Sequence, residues 1–305
     1  MQLGGLDYAR PMAFERMVCA TDFSTDAGAA LRRAVMLAQE HEATLEVLHV
    51  VSRESLNALQ QWLPEPLGFG ERLVRAVREE LDRCAGDAAA EAGIRIDTRV
   101  VVGDVTQSIL ERAGTADLLA IGAHGTNPIK DLILGTTAER LAGQCATPVL
   151  VVRVSAERPY SRLLVAVDLL PGSEEAMAAA LELAGTATLT AAHAYEVPFE
   201  GMLSRAGVDR ALINDHRVRA HQAALEKIAA LSRSVSGDAE RFLAFAELGH
   251  PAATLVSQQH KMGADLVVIR KRARSFAEAL ILGSVTRHVL TDVTSDVLLL
   301  AQPKR

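Results

Sequence analysis

Three glycines follow a short apolar run in the first half of the chain: Asp117-Leu118-Leu119-Ala120-Ile121-Gly122-Ala123-His124-Gly125 and, nine residues later, Gly135-Thr136-Thr137. The run that ends at Ile121 is typical of a buried strand, and residues 136–142 predict the start of a helix. Glycines between the carboxyl end of a strand and the amino end of a helix let backbone N–H groups approach an anion, and the helix dipole adds positive potential there. The stretch therefore indicates a phosphate-binding turn in an α/β fold.

The same order of elements occurs twice along the 305-residue chain. The strand pattern of residues 17–22 returns at residues 163–168, and a second strand ends in His49 in one half and in His193 in the other. Apolar strands that alternate with helices predict a parallel sheet with helices on both faces. We therefore predict an α/β fold of two tandem Rossmann-like, doubly wound domains, each with a five-stranded parallel sheet. The predicted domains are residues 1–154 and 155–305.

Polar and glycine residues stand at the predicted carboxyl ends of strands, where doubly wound sheets bind their ligands. Asp22, Gly122 and Gly125 all hold such positions. An alternative role for Asp22 is to cap the following helix, and Ser24 competes for that role. His49 and His193 are expected to be packed or hydrogen-bonded, because no triplet of histidines has the spacing of metal ligands.

Composition narrows the classes of partner and location. Hydrophobic residues make up 49% of the chain, aromatic residues 4%, and the net charge is −6, which argues against binding to nucleic acid or to an anionic membrane. No apolar run is long enough to span a bilayer, and residues 1–14 lack the pattern of a secretory signal. The three cysteines match no metal or redox motif and are predicted to be reduced thiols. We expect a cytoplasmic protein.

Taken together, these residues resemble the universal stress protein family. The match comprises Ala116-Asp117-Leu118, then Gly122, Gly125, Gly135 and Thr136, then Cys145-Ala146-Thr147-Pro148-Val149-Leu150-Val151-Val152, with Asp22 and His49-Val50 at the ends of the first two strands. The resemblance covers nearly the whole chain, in tandem. It implies a stress-response or signalling protein that binds an adenine nucleotide, usually ATP. The Asp22 carboxylate could accept from a ribose hydroxyl or hold hydrated Mg²⁺.

The resemblance also assigns roles by position. It implies that the adenine and ribose are lined by Thr21, Asp22 and Val50, the ribose and first phosphates by Gly122, His124 and Gly125, and the outer phosphates by Gly135, Thr136 and Thr137. The Thr136 hydroxyl is expected to cap the helix and donate to a phosphate. Catalytic residues and a metal site built by the protein alone are not expected.

The second half departs from this pattern. Asp168, Gly283 and Ser284 preserve a vestigial site, but Arg270 replaces Gly122 and Ala273 replaces Gly125. Side chains at those positions would crowd a phosphate path lined by backbone, so the second domain is expected to bind ATP weakly or not at all. The basic run of residues 270–274 could bind phosphates by charge, or it could be a solvated loop or a contact with an acidic partner surface.

Three functional hypotheses stay open at this point. The first is a nucleotide-dependent signalling protein with an unidentified protein partner. The second is a slow ATPase or nucleotide-transferring enzyme, and the third is a scaffold that has lost its ligand. We expect the two domains to pair as an internal pseudo-dimer through their last strands, residues 148–152 and 296–300, and a homodimer is a further expectation. The variable segments 52–70 and 196–207 carry no motif that predicts a role.

Overall fold

Strands and helices alternate along both halves of the chain in the computed structural model, which describes residues 13–62, 68–125, 134–196, 202, 205–206, 208–271 and 282–301. The predicted α/β class with two Rossmann-like repeats is confirmed. Within the described part of the chain, no helix is both long enough and apolar enough to cross a membrane.

The first repeat contains five strands and the helices between them. Its elements are β1 (Arg16–Ala20), α1 (Thr25–Glu40), β2 (Thr44–Ser52), α2 (Arg53–Trp62), α3 (Phe69–Ala92), β3 (Ile96–Gly103), α4 (Val105–Ala113), β4 (Leu118–Gly122), α5 (Thr136–Gln144) and β5 (Val149–Val152).

The second repeat follows the same order. Its described elements are β6 (Arg162–Ala166), α6 (Ser173–Leu183), β7 (Thr188–Tyr195), α7 (Arg210–Ser236), β8 (Phe242–Leu248), α8 (Pro251–Met262), β9 (Leu266–Arg270), α9 (Ser284–Asp292) and β10 (Asp296–Leu300).

The contacts of the folded chain divide it into two compact units that do not coincide with the halves of the sequence. The amino-terminal unit contains Ala13–Pro159 together with Lys271 and β10, and the carboxyl-terminal unit contains Tyr160–Arg270 together with Ser284–Ser295. The last strand of the second repeat is therefore part of the unit that the first repeat builds.

In the amino-terminal unit the strand order is β3-β2-β1-β4-β5-β10. The first five strands are parallel, and β10 runs antiparallel to β5 with Leu298 opposite Leu150. The expected pairing of the two last strands is thus observed. Every residue of β5 and of β10 is buried, as continuous apolar strands covered on both faces should be.

The carboxyl-terminal unit has the strand order β9-β6-β7-β8, and its strands are parallel. Helix α6 packs with α7, and α8 packs with α9. In both units the first strand of the repeat lies between two neighbours that the chain reaches in opposite directions. This switch point brings the segments after β1 and β4 together in one unit, and those after β6 and β9 in the other.

Candidate functional site

A cavity of about 330 Å³ opens beyond the carboxyl ends of β1, β2 and β4 in the amino-terminal unit. Its volume lies within the range of small-molecule sites, about 300–1,000 Å³. All nine residues that the sequence assigned to a ligand line it: Thr21, Asp22, Val50, Gly122, His124, Gly125, Gly135, Thr136 and Thr137. Apolar side chains complete the wall, among them Leu48, Val105, Ile109, Ile121 and Leu141. One cavity therefore combines an apolar wall with a glycine-rich backbone.

Gly122 is required by the packing of α1 as well as by any ligand. A Cβ atom at this position would lie 2.6 Å from the carbonyl carbon of Asp26 and 2.8 Å from the amide nitrogen of Ala27. Both are backbone atoms in the first turn of α1, so they cannot move aside without shifting the helix. The sequence argument gave this glycine to the ligand alone, whereas the structure shows that the fold needs it first.

The other two glycines shape the turn itself. A Cβ atom on Gly125 would lie 2.7 Å from Oδ2 of Asp22, and one on Gly135 would lie 3.3 Å from the carbonyl oxygen of Ala123. The N–H of Gly135 donates to that same oxygen at 2.8 Å, which closes the turn. Residues 126–133 lie outside the described part of the chain. Bare backbone at both ends of the turn leaves the cavity open beside Asp22.

Helix α5 begins without a capping side chain. Its N-cap residue is Gly135, and Thr136 is the first helical residue, so the expected capping role of Thr136 is wrong. The first amide groups of a helix have no partner within that helix. Because Thr136 and Thr137 line the cavity, this helix start is placed where an anion in the cavity can accept from backbone N–H groups.

Ser24, and not Asp22, caps α1. The Ser24 hydroxyl accepts from the N–H of Ala27 at 3.2 Å, and the Ser24 N–H donates to Oδ1 of Asp22 at 3.0 Å. The helix is thereby started by a serine that Asp22 orients. Asp22 itself lies in the wall of the cavity beside Gly125, which keeps a carboxylate at the polar side of the site.

Asp26 is a functional candidate that the sequence analysis missed. Its Oδ2 atom accepts from the backbone N–H of His124 at 3.0 Å and lies 2.8 Å from the ring Nδ1 of His124. A carboxylate only accepts, so Nδ1 carries the proton and Nε2 is left as the second polar atom of the ring. The available signal was an acidic residue in the first turn of α1, which is also common as a simple helix-dipole partner.

His49 is a packed histidine, as predicted. Its Nδ1 donates to the carbonyl oxygen of Thr21 at 2.8 Å, and its ring stacks on Phe23 with centroids 4.6 Å apart. Burial lowers the pKa of His49, although the Thr21 carbonyl and the Asp22 charge oppose that shift. The ring is therefore neutral near pH 7 and supports the segment after β1.

The carboxyl-terminal unit repeats this support closely. The Nδ1 atom of His193 donates to the carbonyl oxygen of Val167 at 2.8 Å, and Oδ1 of Asp168 accepts from the N–H of Leu170 at 3.0 Å. Leu169 adopts a positive φ of 57°, as its counterpart Phe23 does at 64°. The vestigial residues Gly283 and Ser284 stand at the start of α9. The two repeats therefore share their first strand ends almost atom for atom.

They differ where β4 and β9 end. The Arg270 side chain, 12% exposed, donates from Nη1 to the carbonyl oxygen of Pro171 at 2.9 Å and pairs with Glu175, Nε to Oε2, at 3.1 Å. It lies against Gly172, the counterpart of Asp26, where a Cβ atom would be 2.0 Å from Nη1. Gly172 has a φ of 95°. The small residue and the large residue have exchanged places between the repeats.

The interpretation as a solvated loop is wrong for the two described residues of the basic run, because each of these cations binds internal groups. Phosphate binding by this run stays a prediction. Arg270 binds the start of α6, and Lys271 donates to carbonyl oxygens of Ala142 and Cys145. Residues 272–274, including Ala273, lie outside the described part of the chain. No group of three potential metal-ligating side chains occurs among the described residues.

The chain is similar to known proteins in both of its halves. A sequence model of the universal stress protein family matches residues 13–153 and again residues 159–301. Universal stress protein YxiE of Bacillus subtilis is 31% identical over 150 residues, which are 46% of this chain and 99% of that protein. A universal stress protein of Mycolicibacterium smegmatis is 24% identical over 290 residues, 91% of this chain and 94% of that one.

The fold has a counterpart among solved structures. The crystal structure of a universal stress protein from Archaeoglobus fulgidus superimposes with a TM-score of 0.67 at 17% identity, over 95% of this chain and 99% of that one. At this identity the likeness concerns the fold.

Proposed function

The chain belongs to the universal stress protein family, and on this premise we propose that its amino-terminal unit binds ATP in the cavity beyond β1, β2 and β4. The observation that carries the proposal is the composition of that cavity: one space of about 330 Å³ is lined by apolar side chains, by a carboxylate and by the start of a helix. Nucleotide occupancy would regulate an interaction with a protein partner in stress response or signalling.

Each part of an adenine nucleotide has a chemical counterpart in the wall. The apolar side chains around Val50 and Ile109 suit the faces of the base. The carboxylate of Asp22 can accept from ribose hydroxyls or hold hydrated Mg²⁺. The backbone at Gly125 and the first turn of α5 suit the phosphates, because N–H groups and the helix dipole both favour anions.

We propose that the carboxyl-terminal unit binds ATP weakly or not at all. Arg270 stands where the first repeat has Gly122, and its guanidinium is already bound to Pro171 and Glu175. A partly buried arginine in this position removes the backbone approach that a phosphate path needs. The domain boundary between residues 154 and 155, the cytoplasmic location and the homodimer are parts of the same proposal.

Calorimetric titration of the intact, nucleotide-stripped chain with ATP and Mg²⁺ tests the proposal. We expect saturation with one site per chain, and loss of at least about 100-fold in affinity in Gly125→Val, because the new side chain would displace Asp22 and enter the cavity. Gly122→Val is a poor probe, since it would collide with the α1 backbone. Gly283→Val is the matched control, because a Cβ atom at Gly283 meets nothing within 4 Å.

The other two functional hypotheses predict different outcomes. ATP hydrolysis well above background that disappears in Asp22→Ala would favour a slow ATPase or nucleotide-transferring enzyme. A folded wild-type chain that binds no nucleotide at millimolar ATP would contradict the proposal and favour a ligand-free scaffold. Unchanged affinity in Gly125→Val would move the ligand away from the glycine turn.

A further inference from the structure

Helix α5 contacts the candidate nucleotide cavity at one end and a side chain from the second repeat at the other. Its amino end, at Thr136 and Thr137, lines the candidate nucleotide cavity. Its carboxyl end, at Cys145, meets a side chain from the second repeat, Lys271, which belongs to the same compact unit. The helix is nine residues long, so the two ends are about 14 Å apart at 1.5 Å per residue.

Lys271 grips the last turn of α5 with two hydrogen bonds. Its Nζ atom donates to the carbonyl oxygen of Ala142 at 2.8 Å and to that of Cys145 at 2.7 Å. Its own backbone N–H donates to the carbonyl oxygen of Leu300 on β10 at 2.8 Å. The lysine is therefore held to β10 by its backbone and to α5 by the end of its side chain.

The helix supplies no basic residue of its own in its last turn. A cation at the carboxyl end of a helix is stabilised by the unpaired carbonyl groups there, just as an anion is stabilised at the amino end. Burial lowers the pKa of Lys271 to about 8, with the Cys145 thiol opposing that shift. At pH 7 the side chain is still an ammonium group. The cation at the carboxyl end of α5 therefore comes from a residue outside the helix.

We propose that Lys271 is a positioning residue of the nucleotide site: by holding the carboxyl end of α5 with its ammonium group, it strengthens phosphate binding at the amino end of the same helix. The inference rests on the proposed ATP site. Two effects act together. The hydrogen bonds fix the axis of α5 against the cavity, and the positive charge favours the helix-dipole orientation that the phosphates also favour. By linkage, ATP must then favour the bound position of Lys271 to the same extent.

Of the two repeats, the second alone has a lysine at this position. The first repeat has Ala123 at the position that corresponds to Lys271, so it has no ammonium group to place in this way. The asymmetry matches that of the glycine motif, since the repeat that lost the motif provides the cation for the repeat that kept it.

The test is to titrate wild type, Lys271→Met and Lys271→Arg, each as the intact chain, with ATP and with adenosine. Methionine keeps the unbranched stem without the charge, and arginine keeps the charge. We expect Lys271→Met to bind ATP about two- to five-fold more weakly, as a helix-terminal charge should, and adenosine with unchanged affinity. Lys271→Arg should recover most of the loss. Lys261→Met is the matched control, because Lys261 is exposed in the last turn of α8.

Hydrogen exchange of the α5 amides gives a second reading. ATP should slow exchange in residues 136–144 more strongly in wild type than in Lys271→Met. Equal ATP affinity in wild type and Lys271→Met would overturn the inference while leaving the ATP site standing. An equal loss for ATP and adenosine would also overturn it, since that pattern reports general loosening of the fold. No ATP binding by wild type would overturn the site and the inference together.

Discussion

The two repeats begin alike and part at the end of their fourth strands. In the amino-terminal unit Gly122 leaves room for the backbone of α1, and Asp26 fills the space above it by binding His124. In the carboxyl-terminal unit Arg270 fills the corresponding space, and the residue facing it is Gly172. In each unit one of the two facing positions is a glycine and the other carries a side chain, and the two positions are reversed between the repeats.

This exchange explains how a repeat can lose a ligand motif and still fold. A cavity left by a departed ligand would forfeit dispersion contacts and leave backbone groups unpaired. Arg270 replaces both, since its stem fills space and its guanidinium binds the Pro171 carbonyl and the Glu175 carboxylate. The second repeat therefore fills the junction between its fourth strand and its first helix with a side chain of its own.

The largest expected effect comes from introducing the arginine of the second repeat into the first repeat without its facing glycine. Gly122→Arg places a side chain against α1 backbone atoms that a Cβ would already approach to 2.6 Å. We expect the free energy of unfolding to fall by more than about 4 kcal/mol, the range of exceptional single substitutions, and ATP binding to be lost. Urea denaturation and calorimetry measure the two effects.

The double variant Gly122→Arg with Asp26→Gly sharpens the same comparison. It moves the whole pair of the second repeat into the first, so we expect it to recover a substantial part of the lost stability without recovering ATP binding. If the single variant is as stable as wild type, or the double variant is less stable than the single, the two positions do not compensate each other.

The last strands offer a second contrast, because β10 begins with a buried Asp296 where the first repeat has Pro148. Asp296 accepts from the backbone N–H groups of Arg153 and Val154 at 2.8 and 3.1 Å, and its Oδ2 lies 3.4 Å from Nε of the buried Arg33. We expect Asp296→Ala to lower the free energy of unfolding by about 3 kcal/mol, since it leaves buried charge without its partner.

Asp296→Asn is the control for this prediction. It keeps one acceptor oxygen for the two N–H groups, but it removes the charge and replaces Oδ2 by an NH2 group that faces Arg33. Its loss should therefore be smaller than that of Asp296→Ala. Equal stability of Asp296→Ala and wild type in urea denaturation would show that β10 is held by its apolar side chains alone.

The smallest expected effect is a pH dependence that arises from Lys271. The pKa of Lys271 in the folded chain, about 8, lies below its ordinary value of 10.5. Between these values the unfolded chain binds more protons, so the free energy of unfolding should rise with pH, by about 2–3 kcal/mol between about pH 7 and pH 10 relative to Lys271→Met. Burial of the ammonium group costs the most free energy below about pH 8, where Lys271 is charged in the folded chain.

The same titration affects the ligand in the opposite direction. Once Lys271 is neutral, its charge no longer supports α5, although the amine can still donate to both carbonyl groups. The difference in ATP affinity between wild type and Lys271→Met should therefore narrow above pH 8. Burial raises the pKa of the neighbouring Cys145 thiol above its ordinary value. A difference in stability between the two proteins that does not change from pH 7 to pH 10 would contradict the prediction.

Local pattern carried most of the fold and the first outline of the site. Apolar runs, helix signals and glycine spacing predicted the strand ends and the glycine turn, and the family resemblance assigned the nine residues. All nine line one cavity, because strand ends converge at the switch point of a parallel sheet. Ser24 was recognisable as a cap by its residue type and position. The assignment of Thr136 as a cap failed because Gly135 holds the N-cap position and Thr136 is already the first helical residue.

The sequence alone determined the features that depend on hydrophobic periodicity. These are which segments are strands, which are helices, and where each strand ends. What required the folded chain was every contact between distant segments of unrelated pattern, namely Asp26 with His124, Gly172 with Arg270, and Lys271 with α5. Each of these depends on side-chain volume and hydrogen-bond geometry across a packed junction. Periodicity reports which face of an element is buried, but it holds no information on which distant residue fills the space opposite.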